Sequence, residues 1–150
     1  VNVGPFPVAA VIERLRVRVP ELKLVDGAAG LLAAEKQQPS TSPAAFVVSN
    51  ERAGPSKGYT GGTLAQPVAA TCVVVIYVKH AGSATSGAKA QQQLDALRGL
   101  IRNVLVNWKP MAGGTVLRFI ASDGESYQAG SLQGQEAYGL DYTLEKGANP

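Results

Sequence analysis

Few side chains in this sequence could act as nucleophile, base or metal ligand. There is one histidine, His80, and one cysteine, Cys72. His80 follows a strand-like run, where a general base could stand, but no Ser, Cys or acid sits at a motif spacing to complete a relay with it. Cys72 opens an apolar stretch. A reactive thiol needs a polar, cationic and accessible setting, so the reading that fits is a small buried hydrophobe. One His and one Cys need carboxylates to complete a metal centre, and the acidic residues are dispersed, with no Asp-x-Asp cluster. Gly54-Pro55-Ser56-Lys57-Gly58 has the glycines and lysine of a phosphate loop, yet Pro55 and the missing Gly-Lys-Ser/Thr order break that pattern. Gly82 to Gly87 likewise lacks the dinucleotide fingerprint. The expectation is a protein that is not an enzyme, with no catalytic residue, cofactor or metal.

What the sequence has in quantity is scaffold. Val73-Val74-Val75-Ile76-Tyr77-Val78 is apolar on both faces of a strand, so it must be covered on both sides near the middle of a sheet. Lys89 to Trp108 then reads as the main helix, with Ala90, Leu94, Leu97, Ile101, Val104 and Trp108 forming one inward stripe. Leu94, Leu97, Ile101 and Trp108 are taken as its core anchors; Trp108 could instead be an interface residue. Earlier, Pro7 suits the first position of a helix running to about Val17, which Pro20 stops. Glu21 to Val25 reads as a short strand, and Asp26 as the cap of a second helix through Leu31, Leu32 and Ala34. Pro43 to Ser49 is a strand, Val68 to Lys79 the long central strand, and Gly82 to Gly87 a flexible turn. Thr115 to Ala121 is a further strand, and Asp123-Gly124 is a hairpin signal. Tyr138, Leu140, Tyr142 and Leu144 alternate with Gly139, Asp141 and Thr143 on a last strand with one buried face. Asn50 to Pro67, dense in Gly and Pro, is expected as a long flexible loop, either disordered or ordered only by a partner. The fold class is thus α+β: a single domain over residues 1–150, with a mainly antiparallel sheet flanked by helices.

Composition narrows the partners. With 150 residues and 45% hydrophobic content, one domain can bury roughly 70% of its unfolded surface without metal or disulfide staples. The single cysteine excludes an intrachain disulfide, which fits a reducing compartment. Val1 to Pro7 has no basic start followed by an apolar core, so no secretory signal is expected, and no apolar run is long enough for a membrane span. The formal charge is +3 and the pI about 9.1. Arg14, Arg16, Arg18, Lys23, Arg98, Arg102, Lys109 and Arg118 are nevertheless interleaved with Glu13, Glu21, Asp95 and Glu125 and do not form a dedicated nucleic-acid face.

Longer stretches carry a resemblance. Val11-Ile12-Glu13-Arg14-Leu15-Arg16 with Val19-Pro20-Glu21-Leu22, then Pro43 to Val47 followed by Asn50-Glu51-Arg52-Ala53-Gly54-Pro55, resembles the opening of small tail terminator-like proteins of Mu-like and related tailed phages. The likeness continues through Val73 to Val78 and Leu94-Asp95-Ala96-Leu97-Arg98 to Trp108-Lys109-Pro110. It implies a virion structural protein at the tail–neck junction, assembled in the bacterial host cytoplasm: a hexameric ring that caps the head-proximal end of the tail tube. It further implies contact with the tail tube protein, a neck or head-closure protein, and the sheath protein if the tail is contractile. DNA would pass through the lumen only in transit. The alternatives are another neck connector or a small nucleic-acid-binding module. Arg52, Lys57, Tyr59, Thr60 and Leu64 are the candidate inter-subunit or partner residues, because they stand in the loop that can reach a neighbour.

Overall fold

The Val73–Val78 run requires cover on both faces, and the chain supplies it with two unlike helical layers. The structure is a computed structural model that describes residues 2–80, 84–128 and 130–150. Strand β4 (Thr63–Lys79) is the middle strand of a sheet ordered β1-β2-β4-β6-β5, with β2 (Ala44–Ala53) and β6 (Ser131–Gly147) antiparallel on either side. At one edge β1 (Leu24–Asp26) joins β2 in parallel; at the other β5 (Arg118–Gln128) runs antiparallel to β6. The two-residue β3 (Tyr59–Thr60) folds back on β4. Among the described residues three helices, α1 (Val8–Arg18), α2 (Ala28–Lys36) and α3 (Ala84–Leu105), complete the α+β fold. The period-two alternation of strand side chains sorts β4 between the layers. Val74, Ile76 and Val78 face the core shared with Val11, Leu15, Leu94 and Ile101, while Val75 and Tyr77 join Ala44, Phe46 and Ala34 on the α2 side.

Several local expectations are corrected. Residues 50–67 are mostly strand. The β2–β4 ladder runs on to Ala53 opposite Val68, the Gly54 amide then donates to the Pro67 carbonyl at 2.8 Å, and the Lys57 amide to the Ala65 carbonyl at 2.9 Å. The reversal falls at Gly61 and Gly62, with φ of +61° and +83°, a conformation glycine takes without strain. Asp123-Gly124 is not a hairpin turn. It lies inside β5 at a register shift between Asp123 and Ser126, so the extra residues are taken up as a bulge. The first strand is the parallel segment Leu24–Asp26, and Asp26 does not cap α2. Its carboxylate accepts from the adjacent Gly27 amide at 2.8 Å, and the cap position is Gly27 itself.

At its far end α3 stops at Leu105, three residues short of Trp108, and Asn107 takes φ +65° just beyond the stop. Leu105 therefore occupies the last core position of the helical stripe, and Val104 and Trp108 pack against the core from its rim. Of the turn expected at Gly82 to Gly87, residues 84–87 belong to α3 and residues 82 and 83 lie outside the described residues.

Candidate assembly surface

The two groups that could have carried chemistry are kept apart. Cys72 lies mid-strand and fully buried, between Ser49 of β2 and Tyr138 of β6, and burial pushes its thiol up to about 12. A thiol so placed stays protonated and inert at neutral pH. His80 follows the end of β4. Its amide donates to the Gly130 carbonyl at 2.7 Å and its ring meets Tyr127 edge-on, centroids 4.8 Å apart. Among the described residues no group of three His, Cys, Asp or Glu side chains gathers to hold a metal. The grooves among the described residues include one of about 410 Å³ between α2 and β1–β2, beside Asp26 and Phe46, and one of about 340 Å³ beside Arg52, Pro67 and Asp141.

The candidate partner residues share one arm. Arg52 is exposed near the end of β2, opposite Ala69, and Lys57 is exposed in the crossing to β3. Tyr59 and Thr60 form β3 and pair with Leu64 and Thr63. Leu64, half-buried, is paired on its other side with Lys146 of β6. The arm is thus an extension of the three central strands beyond the main body of the core.

Its root is tied by residues that the sequence alone did not link to one another. The Glu51 carboxylate accepts from the Phe6 amide at 2.8 Å and from the Tyr142 hydroxyl at 2.9 Å, joining β2, β6 and the N-terminal segment. Burial first, and then this bond to Glu51, pushes the Tyr142 hydroxyl up to about 12. Nearby the Glu145 amide donates to the Asn2 carbonyl at 2.8 Å, and a side chain at Gly4, where φ is +66°, would collide with the Tyr142 hydroxyl. Glu51 and Tyr142 are 91 positions apart, and no local pattern links them.

The other named residues lie on or beside α3. Leu94, Leu97 and Ile101 are buried in the larger core, and Trp108 is half-buried with the Arg14 guanidinium stacked 4.5 Å from its ring centroid. Arg14 Nε also donates to the Val104 carbonyl at 2.6 Å, which fixes α1 against α3. Two ion pairs hold α3 to the sheet. Arg98 meets Glu125 at 2.8 Å, and Gln91 Nε2 donates to the same carboxylate at 2.7 Å. Arg102 meets Glu136 through two hydrogen bonds, at 2.7 and 3.2 Å, while its guanidinium lies 4.4 Å from the Phe119 ring centroid. Glu136 is 0% exposed. The signal for it was present in the sequence: it has the same parity as Tyr138, Leu140 and Tyr142, so alternation puts its carboxylate on the buried face.

What emerges is a well-tied scaffold from which an arm and two unlike sheet edges are presented outward. The family model for phage tail terminator protein matches residues 1–150. Comparison with curated proteins returned no match. The matched family is one of structural proteins that associate with other tail proteins in the virion. Among the described residues no helix is long and apolar enough to cross a membrane. Because the match runs over the whole chain given, this protein belongs to the phage tail terminator family and is a structural component of the phage tail.

Proposed function

We propose that this chain caps the head-proximal end of the tail tube as a hexameric ring, stops tube polymerisation, and offers its outer surface to the neck. A tube built by head-to-tail stacking has a heterologous interface and no intrinsic end. A terminator must bind the growing face and fail to present that face again. The observation that carries this reading is the family match over residues 1–150. The arm supports it: β3 and the start of β4, with Arg52, Lys57, Tyr59, Thr60 and Leu64 on or beside them, project from strands buried in the core. Such an arm can reach the tube protein or a neighbouring copy while its root stays fixed. Each copy's contact need not be strong, since copies joined in a ring engage the tube together. Neck or head-closure protein, and sheath protein in a contractile tail, would meet the opposite surface, with DNA passing through the lumen. The ring is completed in the host cytoplasm on this reading.

The test is to add the purified protein to polymerising tail tube protein and image the product. Tubes should stop growing at the end that carries a ring. Tubes that keep lengthening at saturating protein would refute the cap.

A further inference from the structure

Resting on the ring reading, we propose that the exposed edge of β5 is the face on which a second copy of this chain docks, and that this copy presents the β1-side flank of its own sheet. The two edges of the sheet are finished differently. β1 is three residues long, and its Val25 carbonyl accepts from Nε and Nη2 of Arg16 at 3.2 and 2.8 Å. A short edge closed by a side chain is a poor template for another strand. β5 is eleven residues long and, among the described residues, has β6 as its one strand neighbour. Of the eight large hydrophobics exposed among the described residues, four fall between Val116 and Tyr127. Two of these, Phe119 and Ile120, are 41% and 49% exposed and adjacent on the strand. Single exposed apolar residues need no explanation, but three on one edge strand, Phe119, Ile120 and Tyr127, offer apolar area to a partner. Register shifts at Phe119/Ala121 and Asp123/Ser126 bend this edge. A bent edge admits a partner of defined shape and resists indefinite strand addition.

The opposite flank has the matching chemistry. Val17 of α1 and Leu32 of α2 are 66% and 60% exposed, and both helices pack against β1. On α1, Arg14, Arg16 and Arg18 stand against Glu13; on β5, Asp123 and Glu125 stand against Arg118. Neither Arg18 nor Asp123 has an ion-pair partner among the described residues. Arg18 beside Val17 at one flank and Asp123 beside Phe119 and Ile120 at the other thus lie at opposite ends of one sheet. Joined copy to copy they form a heterologous contact, which repeats until the rotation closes.

The buried Cys72 makes a clean cross-linking test possible, because thiols introduced at the surface are the accessible ones. The Val17→Cys/Ile120→Cys protein, treated with a short bis-maleimide, should run as a ladder of covalent oligomers on a denaturing gel. Val17→Cys alone and Ile120→Cys alone should stay monomeric. Ile120→Asp should weaken self-association about tenfold or more, as loss of a central apolar contact does, with the circular dichroism spectrum of the dissociated protein unchanged. Covalent dimers from Ile120→Cys alone would overturn the proposal in favour of a two-fold contact. A double variant that does not cross-link, while the unmodified protein sediments as an oligomer, would overturn it and leave the ring reading standing. Unmodified protein that sediments as a monomer both alone and with tail tubes would overturn the ring reading itself.

Discussion

Glu136 takes a carboxylate into the core, and Arg102 makes that tolerable. The guanidinium supplies two charge-assisted hydrogen bonds, and that contact first, with the Glu136 charge adding to it, holds its own pKa above the ordinary value. Removing one member of a buried pair strands the other, at a cost of about 3 kcal/mol or more. Arg102→Met should therefore lower stability by about that amount in urea denaturation. Arg102→Met/Glu136→Leu should recover much of the loss, and a double variant no better than the single would show that the pair is not coupled. Glu125 gives a milder effect with a pH signature. The Gln91 hydrogen bond first, and then Arg98, hold its carboxyl below the ordinary 4.5. The unfolded chain takes up this proton at higher pH than the folded protein does. The stabilisation is therefore complete above that range and is lost as pH falls through the lowered value. Glu125 is 38% exposed, so solvent screening keeps the contribution small. In Glu125→Gln, the urea midpoint should depend less steeply on pH in the acid range; an unchanged profile would mean that the bond is silent.

The elements divide into those a local pattern encodes and those it does not. Burial in a sheet needs alternation and burial of a helix needs a stripe, so β4, the buried face of β6 and most of α3 were legible in the sequence. Trp108 was read into the stripe one turn too far, because the helix stops at Leu105. Being half-buried, Trp108→Ala should cost less than the ~3–5 kcal/mol of an emptied aromatic core site. A loss in that full range would place the ring deeper in the core than the structure does. The arm was illegible for another reason. Gly and Pro density over residues 50–67 reads locally as loop, whereas the strand there is specified by residues 143–147 of β6, far along the chain. Asp123-Gly124 failed as a turn signal because the β5–β6 ladder continues beyond it to Gln128 and Ser131. The candidate arm residues were chosen from composition, and the Glu51–Tyr142 clamp at their root was not visible at all. Replacing Gly61 and Gly62 by Val should strain the tip by about 1–2 kcal/mol per residue. Amide exchange at Leu64 and Ala65 should speed up while that of Val74 and Ile76 does not; equal protection throughout would mean the tip does not hold the arm.

At the scale of the whole molecule, a core with two helical layers supports an arm and two differently finished sheet edges. That is the anatomy of a part in an assembly, and the family match places the assembly in the phage tail. The proposed ring asks each copy to give one flank and receive the other while its arm engages a third surface. On that proposal, the ring sets an end to a structure that otherwise has none. The most direct measurement is to delete the gene and image the lysate by electron microscopy. Tails of uncontrolled length, not joined to heads, are the expected result. Tails of normal length joined to heads would contradict the account, and normal tails left beside unjoined heads would reassign the protein to the neck.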